Sequence, residues 1–214
     1  KFFNLKDDEG YKSSTIHKMD VVIKQVFRSA VEDELIVRNP SDSKRLTYNK
    51  KVTKREALSM EYAKELFIAL GQLKKYEDRL LIAIPIFIGT RRGETLALRW
   101  ENIDWDNSVI HIREAVSFEN GRPRLGEPKS ESGIRDIPFD SRLEAMLKPI
   151  KKDAGFIIGD GDIPITECTY RSAWKRIKRT IDVKKFTAHN YRHTFITLSA
   201  SAGIDVKTLQ GISG

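Results

Sequence analysis

The amino-acid sequence predicts a mainly α-helical fold with one small antiparallel β-sheet (an α+β class). Apolar residues recur at helical spacing along most of the chain, whereas residues 109–138 contain short strand-like runs separated by the hairpin dipeptide Asn120-Gly121. With 40% hydrophobic residues among 214, the chain can bury a sizeable core. We therefore expect a folded protein with one main domain and a smaller piece.

Charge and cysteine content narrow the class of protein. The 38 Lys and Arg residues exceed the 30 Asp and Glu residues, giving a net charge of +8 and a pI of about 9.5, which favours a polyanionic partner. The single cysteine, Cys168, excludes an intrachain disulfide framework and a cysteine-rich zinc site. No apolar run has membrane-spanning length and no secretory leader is visible, so we expect a cytoplasmic protein.

The N-terminal part predicts a small helical domain and a basic linker. A helix is expected over residues 14–34, capped by Ser14 or Thr15 and stopped by Asn39-Pro40. One helix cannot bury its own apolar face, so residues 1–43 should belong to a helical domain. Residues 44–55 carry six basic residues and no acidic one, which suits either a plain solvated tether or a linker that follows DNA phosphates. Its candidate DNA contacts are Lys50, Lys51 and Lys54.

The main domain, residues 56–214, is predicted to open with two helices. Ser59 caps the first. The second, over residues 77–88, is apolar nearly all round and should be the central buried helix, kinked at Pro85 and ended by Gly89. Arg91 follows at the corner before a further short helix. A charged side chain held against a core needs an anionic partner.

The middle of the chain predicts the β-sheet. Residues 109–116, 122–125 and 134–138 have strand character, and a three-stranded antiparallel sheet is the simplest arrangement. The second turn presents Lys129 at its tip. Taken alone, a lysine in a turn is a solvated charge.

Two further helices are predicted around residues 140–151 and from Thr166 onward. The second is amphipathic, with a buried stripe that includes Ala173 and Ile177. Its other side is strongly basic, which suits a contact with the backbone of a DNA duplex or simply a solvated face. The candidate DNA contacts on this helix are Arg171, Lys175, Arg176, Lys178 and Arg179.

The next predicted helix begins near Ala188, with Thr187 as its cap, and ends at Gly203; a short helix over residues 206–210 follows. His189 and Arg192 lie three residues apart, so they project from one face and suit an anionic substrate that undergoes proton transfer. Two alternatives remain open at this point. The spacing of His189 and His193 imitates a zinc-binding helix, but Asn190 stands where the catalytic Glu belongs, and both histidines can equally lie on a solvated surface.

Three motifs together resemble one family. They are Ile88-Gly-Thr-Arg-Arg-Gly-Glu-Thr-Leu-Ala-Leu-Arg-Trp100, Pro128-Lys-Ser-Glu-Ser-Gly-Ile-Arg-Asp-Ile-Pro138 and His189-Asn-Tyr-Arg-His193. Their order and spacing resemble the tyrosine recombinase, or phage integrase, family, and most of all the integrases of conjugative transposons and related mobile elements. The resemblance covers residues 56–214 closely, as that family's catalytic domain, and residues 1–43 look like the end of its helical core-binding domain.

The resemblance implies roles for five residues. Arg91 and Arg192 match the two arginines that grip the scissile phosphate. Lys129 matches the hairpin lysine that protonates the departing 5′ oxygen, and His189 matches a histidine that assists proton transfer. Glu94 matches a supporting carboxylate, expected to orient an active-site side chain.

The implied activity is that of a site-specific DNA recombinase in bacteria. Such an enzyme cleaves and rejoins DNA strands through a 3′-phosphotyrosine intermediate and uses neither a metal nor ATP, so we expect no cofactor. The implied partners are double-stranded DNA and other protomers, in a dimer or tetramer on the recombination sites. None of the six tyrosines lies after Arg192, where the family places its nucleophile. We therefore expect a truncated polypeptide that binds DNA without cleaving it.

Three alternatives to the recombinase reading stay open on the sequence. A type IB topoisomerase would share the chemistry without exchanging partners. A noncatalytic DNA-binding relative would explain the charge and the missing tyrosine, but not the retained Arg, Lys and His set. A zinc hydrolase has the weakest support.

Overall fold

A computed structural model of the chain describes residues 2–42, 58–128, 131–183 and 187–214. The chain divides into two compact units, Lys1–Arg55 and Glu56–Gly214. The architecture is mainly α-helical with small antiparallel sheets, which confirms the predicted fold class. In the described ranges, no helix is long and apolar enough to cross a membrane. The division of the first unit into a core-binding domain and a linker stays a prediction.

In its described residues, 2–42, the first unit contains two α-helices, α1 (Phe2–Asp8) and α2 (Ser13–Glu32). The sequence predicted α2 but not α1. The predicted cap of α2 is wrong, because Lys12 occupies the N-cap position and makes no side-chain capping bond. The helix ends within two residues of the predicted end, but the predicted stop signal is wrong: Glu34 adopts a left-handed φ of 57°, and this conformation ends the helix before Asn39 is reached.

Asn39 has a different role from the predicted helix stop. Its side-chain Nδ2 donates to the carbonyl oxygen of Lys24, at 3.2 Å, and its Oδ1 accepts from the backbone N–H of Ser41, at 2.9 Å. These bonds fold the 3₁₀ turn Pro40–Asp42 back onto α2. Asn39 therefore fixes the position of the turn relative to the helix.

The second unit carries the larger core, which is built mainly by helices. In the described ranges these are α3 (Met60–Leu70), α4 (Tyr76–Ile88), α5 (Arg92–Ala97), α6 (Ser141–Leu147), α7 (Glu167–Thr180), α8 (Ala188–Ser201) and α9 (Val206–Ser213). The predicted cap of α3 is confirmed: Ser59 Oγ accepts from the N–H of Tyr62 at 3.2 Å. Helix α7 starts where predicted, and Thr166 caps it by accepting from the N–H of Thr169 at 3.2 Å. Helix α4 is buried on nearly all sides, as its apolar composition predicts.

The strands of the second unit are short. They are β1 (Ile103–Asp104), β2 (Val109–Ile112), β3 (Ala115–Glu119), β4 (Arg122–Gly126), β5 (Arg135–Pro138), β6 (Gly159–Asp160) and β7 (Ile163–Pro164). Strands β1, β2 and β5 form one antiparallel sheet in the order β1-β2-β5, with Ile110 opposite Ile137. Strands β3 and β4 form a separate hairpin, and β6 pairs with β7.

The prediction of the three-stranded sheet is therefore wrong about which strands form it. The continuous strand expected over residues 109–116 is interrupted at Arg113 and Glu114, so its first half pairs with β5 and its second half with β4. The hairpin turn itself is confirmed, because Asn120 and Gly121 both adopt positive φ values, 50° and 77°. After this interruption, β3 packs against α5. The candidate site begins at α5.

Candidate active site

A sharp turn between α4 and α5 presents Arg91. Helix α4 ends at Gly89, whose φ of +67° is left-handed, and a Cβ atom there would lie 2.3 Å from Cδ1 of Phe195 on α8. Only glycine satisfies both conditions. Gly93 has a related function, since a Cβ atom on it would lie 2.7 Å from the carbonyl oxygen of Val116. These two glycines let the turn and α5 approach α8 and β3 closely.

Glu94 fixes the orientation of Arg91. One carboxylate oxygen, Oε1, accepts from Nη1 of Arg91 at 2.8 Å, and the other, Oε2, accepts from the Arg91 backbone N–H at 2.9 Å. The Glu94 side chain is 1% exposed, whereas that of Arg91 is 40% exposed. The carboxylate thus holds the guanidinium from the protein side and leaves its other side accessible. This geometry supports the predicted orienting role of Glu94.

Arg192 approaches the same place from α8. It is buried, and its Nη1 donates to the carbonyl oxygen of Gly89 at 2.7 Å. Burial, and then repulsion from Arg91, lowers the pKa of Arg192 to about 10. The guanidinium therefore stays protonated at neutral pH, and its charge is held in an environment that favours an anionic partner.

The two arginines converge on one point. Nη2 of Arg91 and Nη2 of Arg192 donate to the same oxygen of Gly214, the last residue of the sequence, at 2.7 and 3.2 Å. Two guanidinium groups that share one oxygen are spaced so that both can bind one anionic group, such as a phosphate. The structure therefore brings together two of the residues predicted from the sequence.

Sequence reasoning missed the role of Arg135, although one of the quoted motifs includes it. Nη2 of Arg135 donates to Glu94 Oε2 at 2.7 Å, and both side chains are buried. Burial raises the pKa of Glu94, but the hydrogen bond from Arg135 and those from Arg91 outweigh burial, so the pKa is lowered below its ordinary value. A signal was present, because Arg135 precedes the buried Ile137 by two residues and so shares its inward face.

The other two predicted catalytic residues are His189 and Lys129. His189 lies in the first turn of α8, where its side chain is exposed, three residues before Arg192. The predicted cap position of α8 is confirmed: Thr187 is the N-cap residue and forms a capping box with Asn190. Asn190 Oδ1 accepts from the Thr187 backbone N–H, at 3.1 Å, and from its hydroxyl, at 2.8 Å. Lys129 lies outside the described residues, so its predicted role stays a prediction.

The basic residues of α7 fall into two groups. Arg176 makes two hydrogen bonds to the buried carboxylate of Asp78, at 2.7 and 3.0 Å, and the exposed Arg171 pairs with the half-buried Glu167 at 2.6 Å. The remaining three are exposed, and within the described ranges no ion pair is assigned to them; they are Lys175, Lys178 and Arg179. We call these three the basic face of α7. The predicted linker contacts Lys50, Lys51 and Lys54 lie outside the described residues.

Tyr191 lies in the core between His189 and Arg192. Its side chain is fully buried and stacks on Trp174, with ring centroids 6.1 Å apart and ring planes at 10°. Its hydroxyl group has no hydrogen-bond partner in the described part of the chain, and burial raises its pKa above the ordinary value. A phenol in this position cannot reach a DNA phosphate without unfolding the core around it.

The zinc alternative rests on the spacing of His189 and His193. In the described ranges, no group of three or more His, Cys, Asp or Glu side chains is arranged to hold a metal ion. His193, which shares the zinc-like spacing with His189, is half-buried on α8.

Sequence comparison identifies the class of protein to which this fold and these paired arginines belong. The sequence profile of the phage integrase family matches residues 53–214, and the chain belongs to this family. This assignment confirms the resemblance carried by the three sequence motifs.

Relatives with curated names give a consistent picture. The chain is 25% identical over 246 aligned residues to the protein named tyrosine recombinase XerC-like of Caldanaerobacter subterraneus subsp. tengcongensis, covering 100% of this chain and 62% of the relative. It is 24% identical over 218 residues to the ICEBs1 integrase of Bacillus subtilis, covering 95% and 58%. The chain thus spans about three fifths of the length of these relatives.

A solved structure shows the same fold. The Tn1549 transposon integrase, in complex with a circular intermediate DNA, superposes with a TM-score of 0.82 at 23% identity, over 99% of this chain and 74% of the other. At this level of identity the likeness establishes the fold alone.

Proposed function

We propose that this chain is part of a site-specific DNA recombinase of a mobile element, which cleaves and rejoins DNA strands through a 3′-phosphotyrosine intermediate. The observation that carries this proposal is the convergence of Arg91 and Arg192 on one oxygen. Membership of the phage integrase family supports it, as do the names of the relatives, which are recombinases and integrases.

In the proposed reaction, the two arginines bind the scissile phosphate. Charge on the nonbridging oxygens grows as the phosphorus becomes pentacoordinate, and donors that are already oriented stabilise this state without reorganising. Glu94 supplies that orientation for Arg91, and the Gly89 carbonyl supplies it for Arg192. Two planar forks suit a phosphate better than two ammonium groups would, because each fork offers paired donors in a fixed geometry.

Proton transfer is assigned to the remaining two residues. Lys129 would protonate the 5′ oxygen as it leaves, and His189 would assist proton movement at the phosphate or the nucleophile. The exposure of His189 in the first turn of α8 is compatible with this assignment, because the substrate must approach from the solvent side. No step of this scheme requires a metal or a nucleotide cofactor.

The attacking tyrosine is not among the residues of the site described above. The six tyrosines of the sequence all precede Arg192, and Tyr191 is enclosed in the core. We propose that the 214-residue polypeptide, prepared as such, binds duplex DNA but forms no covalent adduct. In the bacterial cytoplasm, DNA sites and further protomers would be its partners; the Tn1549 integrase structure, which contains DNA, supports the first of these.

One experiment tests the proposal. A duplex selected for tight binding from a random-sequence library is nicked near the bound centre, so that a cleaved strand cannot be rejoined. It is incubated with the 214-residue polypeptide and, separately, with the protein as its gene encodes it, and both are run on denaturing gels. We expect an adduct with the encoded protein alone. An adduct with the 214-residue polypeptide would contradict the assignment of the nucleophile.

A second measurement separates the recombinase from a type IB topoisomerase and from a noncatalytic relative. An encoded protein that forms no adduct with any selected duplex would be a noncatalytic DNA-binding protein. Where an adduct forms, two labelled duplexes of different length are added together. Recombinant lengths indicate strand exchange, whereas relaxation of supercoiled DNA without recombinant lengths would indicate a topoisomerase.

A further inference from the structure

A buried arginine without an assigned role connects the parts of the candidate site. The side chain of Arg135 is 5% exposed, and that of its partner Glu94 is 1% exposed. A buried ion pair costs more desolvation than an exposed one and is an uncertain source of stability. A role in the function of the site would explain the presence of this pair better than a contribution to stability.

The guanidinium of Arg135 uses its donors in three directions. Nη2 donates to Glu94 Oε2 at 2.7 Å, Nε donates to the carbonyl oxygen of Ile212 at 2.6 Å, and Nη1 donates to that of Gly133 at 2.9 Å. A planar fork can satisfy three acceptors at fixed angles, whereas the ammonium of lysine is a point charge on a flexible stem. The Glu94 carboxylate is thereby fixed from the side opposite Arg91.

The shared oxygen transmits this constraint. Glu94 Oε2 accepts from both Arg135 Nη2 and the Arg91 backbone N–H, so that Oε1 is turned towards the Arg91 guanidinium. If Arg135 were absent, the carboxylate could rotate and draw Arg91 towards itself. Small misplacements of a catalytic group reduce rates by as much as about 100-fold.

Charge gives a second reason for the arrangement. Glu94 carries one negative charge and lies between two arginines. With Arg135 present, the carboxylate is neutralised from behind, and the charge of Arg91 remains available to an anionic ligand. Without Arg135, Arg91 alone would have to neutralise Glu94, and the site would lose attraction for a phosphate.

We propose that Arg135 is a positioning residue for Arg91, acting through Glu94; this inference rests on the proposed function. Arg135 does not touch the substrate. It fixes the carboxylate that orients the first phosphate-binding arginine and offsets the carboxylate's charge. The same side chain ties the C-terminal end of α9 and the residues before β5 to this carboxylate.

The test compares four variants of the encoded protein: Arg135→Met, Arg135→Lys, Glu94→Gln and the double variant Arg135→Met with Glu94→Gln. Arg142→Met is the matched control, because Arg142 pairs with Asp140 on the surface, with 73% of its side chain exposed. The first measurement is the single-turnover rate of adduct formation at saturating DNA. The second is the dissociation constant for the same DNA.

We expect Arg135→Met to slow adduct formation by about 10- to 100-fold, with DNA affinity changed by less than about threefold, because many other basic residues contact the duplex. Arg135→Lys should recover part of the rate. The double variant should be no slower than the slower single variant, since both changes act on one contact. Additive losses, or an Arg135→Met rate equal to that of the control, would overturn the proposal.

A second arm is independent of catalysis and uses the 214-residue chain. All three tryptophans, Trp100, Trp105 and Trp174, lie in the second unit, so their fluorescence reports its melting. In Arg135→Met the Glu94 carboxylate loses a buried partner and its pKa should rise. In mildly acid solution Glu94 of this variant would become protonated, which removes the cost of an unpaired buried charge and stabilises the variant. In the unmutated chain the pKa of Glu94 is lowered, so its carboxylate stays charged over the same pH range.

The gap in melting temperature between the unmutated chain and Arg135→Met should therefore narrow from neutral to mildly acid pH. It should stay constant when both chains carry Glu94→Gln. A gap that does not depend on pH would show that Arg135 does not act on Glu94, whether or not the encoded protein recombines DNA. Absence of any adduct with the unmutated protein would instead refute the proposed function and leave this second arm to decide the role of Arg135.

Discussion

Two positively charged regions of the second unit differ in how their charges are held. In the Arg–Glu cluster, formed by Arg91, Glu94, Arg135 and Arg192, the side chains have two or more assigned hydrogen bonds. The basic face of α7 instead carries exposed side chains. The first arrangement fixes donors at defined points around a buried carboxylate, which suits stabilisation of a transition state. The second provides mobile charge, which suits affinity for a polyanion and tolerates many sequences.

The largest predicted effect lies in the Arg–Glu cluster. Arg91→Ala or Arg192→Ala, in the encoded protein, should lower the rate of adduct formation by about 100-fold or more, because a preorganised donor is lost. DNA affinity should fall far less. Denaturing gels measure the first quantity and a gel-shift titration the second. Near-normal cleavage by either variant would remove that arginine from the active site.

The basic face should show the opposite pattern. Replacing Lys175, Lys178 and Arg179 together by alanine should weaken DNA binding and reduce the slope of log affinity against log salt by about three, if each contacts one phosphate. The rate at saturating DNA should be almost unchanged. Arg171→Ala is the control, because Arg171 already pairs with Glu167. An unchanged salt slope would show that this face does not contact DNA.

Arg176 lies on the same helix but should behave differently. Its two hydrogen bonds go to Asp78, whose side chain is 4% exposed. Arg176→Ala should destabilise the second unit by about 2 kcal/mol, because a buried carboxylate loses its partner. The slope of log DNA affinity against log salt concentration should change less in Arg176→Ala than in Lys175→Ala. Tryptophan-detected urea unfolding measures the stability, and an unchanged stability with a reduced slope would place Arg176 on the DNA instead.

The sequence predicted local features of this fold more reliably than pairings between distant residues. The cap at Ser59, the start of α7 at Thr166 and the turn at Asn120 and Gly121 depend on neighbours within a few positions. Their physical causes are therefore visible in a short window of sequence. The interruption at Arg113 was missed because strand propensity alone does not show which partner a strand will pair with.

The candidate site shows the same limit. Arg91, Glu94 and Arg192 could be named from motifs, but their geometry depends on contacts between distant parts of the chain. The approach of Gly89 to Phe195 and the pairing of Glu94 with Arg135 each join residues far apart in sequence. An inward-facing arginine on a strand signals a buried anionic partner, but it does not say which carboxylate that partner is.

The smallest predicted effect concerns Tyr191. This residue is next to Arg192 in sequence, but its side chain is enclosed in the core. Because its hydroxyl is buried and has no partner in the described part of the chain, Tyr191→Phe should leave the stability of the second unit unchanged or raise it by at most about 1 kcal/mol. Adduct formation by the encoded protein should be unaffected.

The matched control for this change is Tyr191→Leu, which also removes the ring that stacks on Trp174. It should destabilise the unit by about 2 kcal/mol, since an aromatic contact and buried area are lost together. Tryptophan-detected unfolding compares the two variants, and the nicked-duplex gel compares their chemistry. If Tyr191→Phe alone abolished the adduct while keeping normal stability, Tyr191 would have to leave the core to attack DNA. In that case the fixed donors of the Arg–Glu cluster would serve a nucleophile delivered from α8 itself.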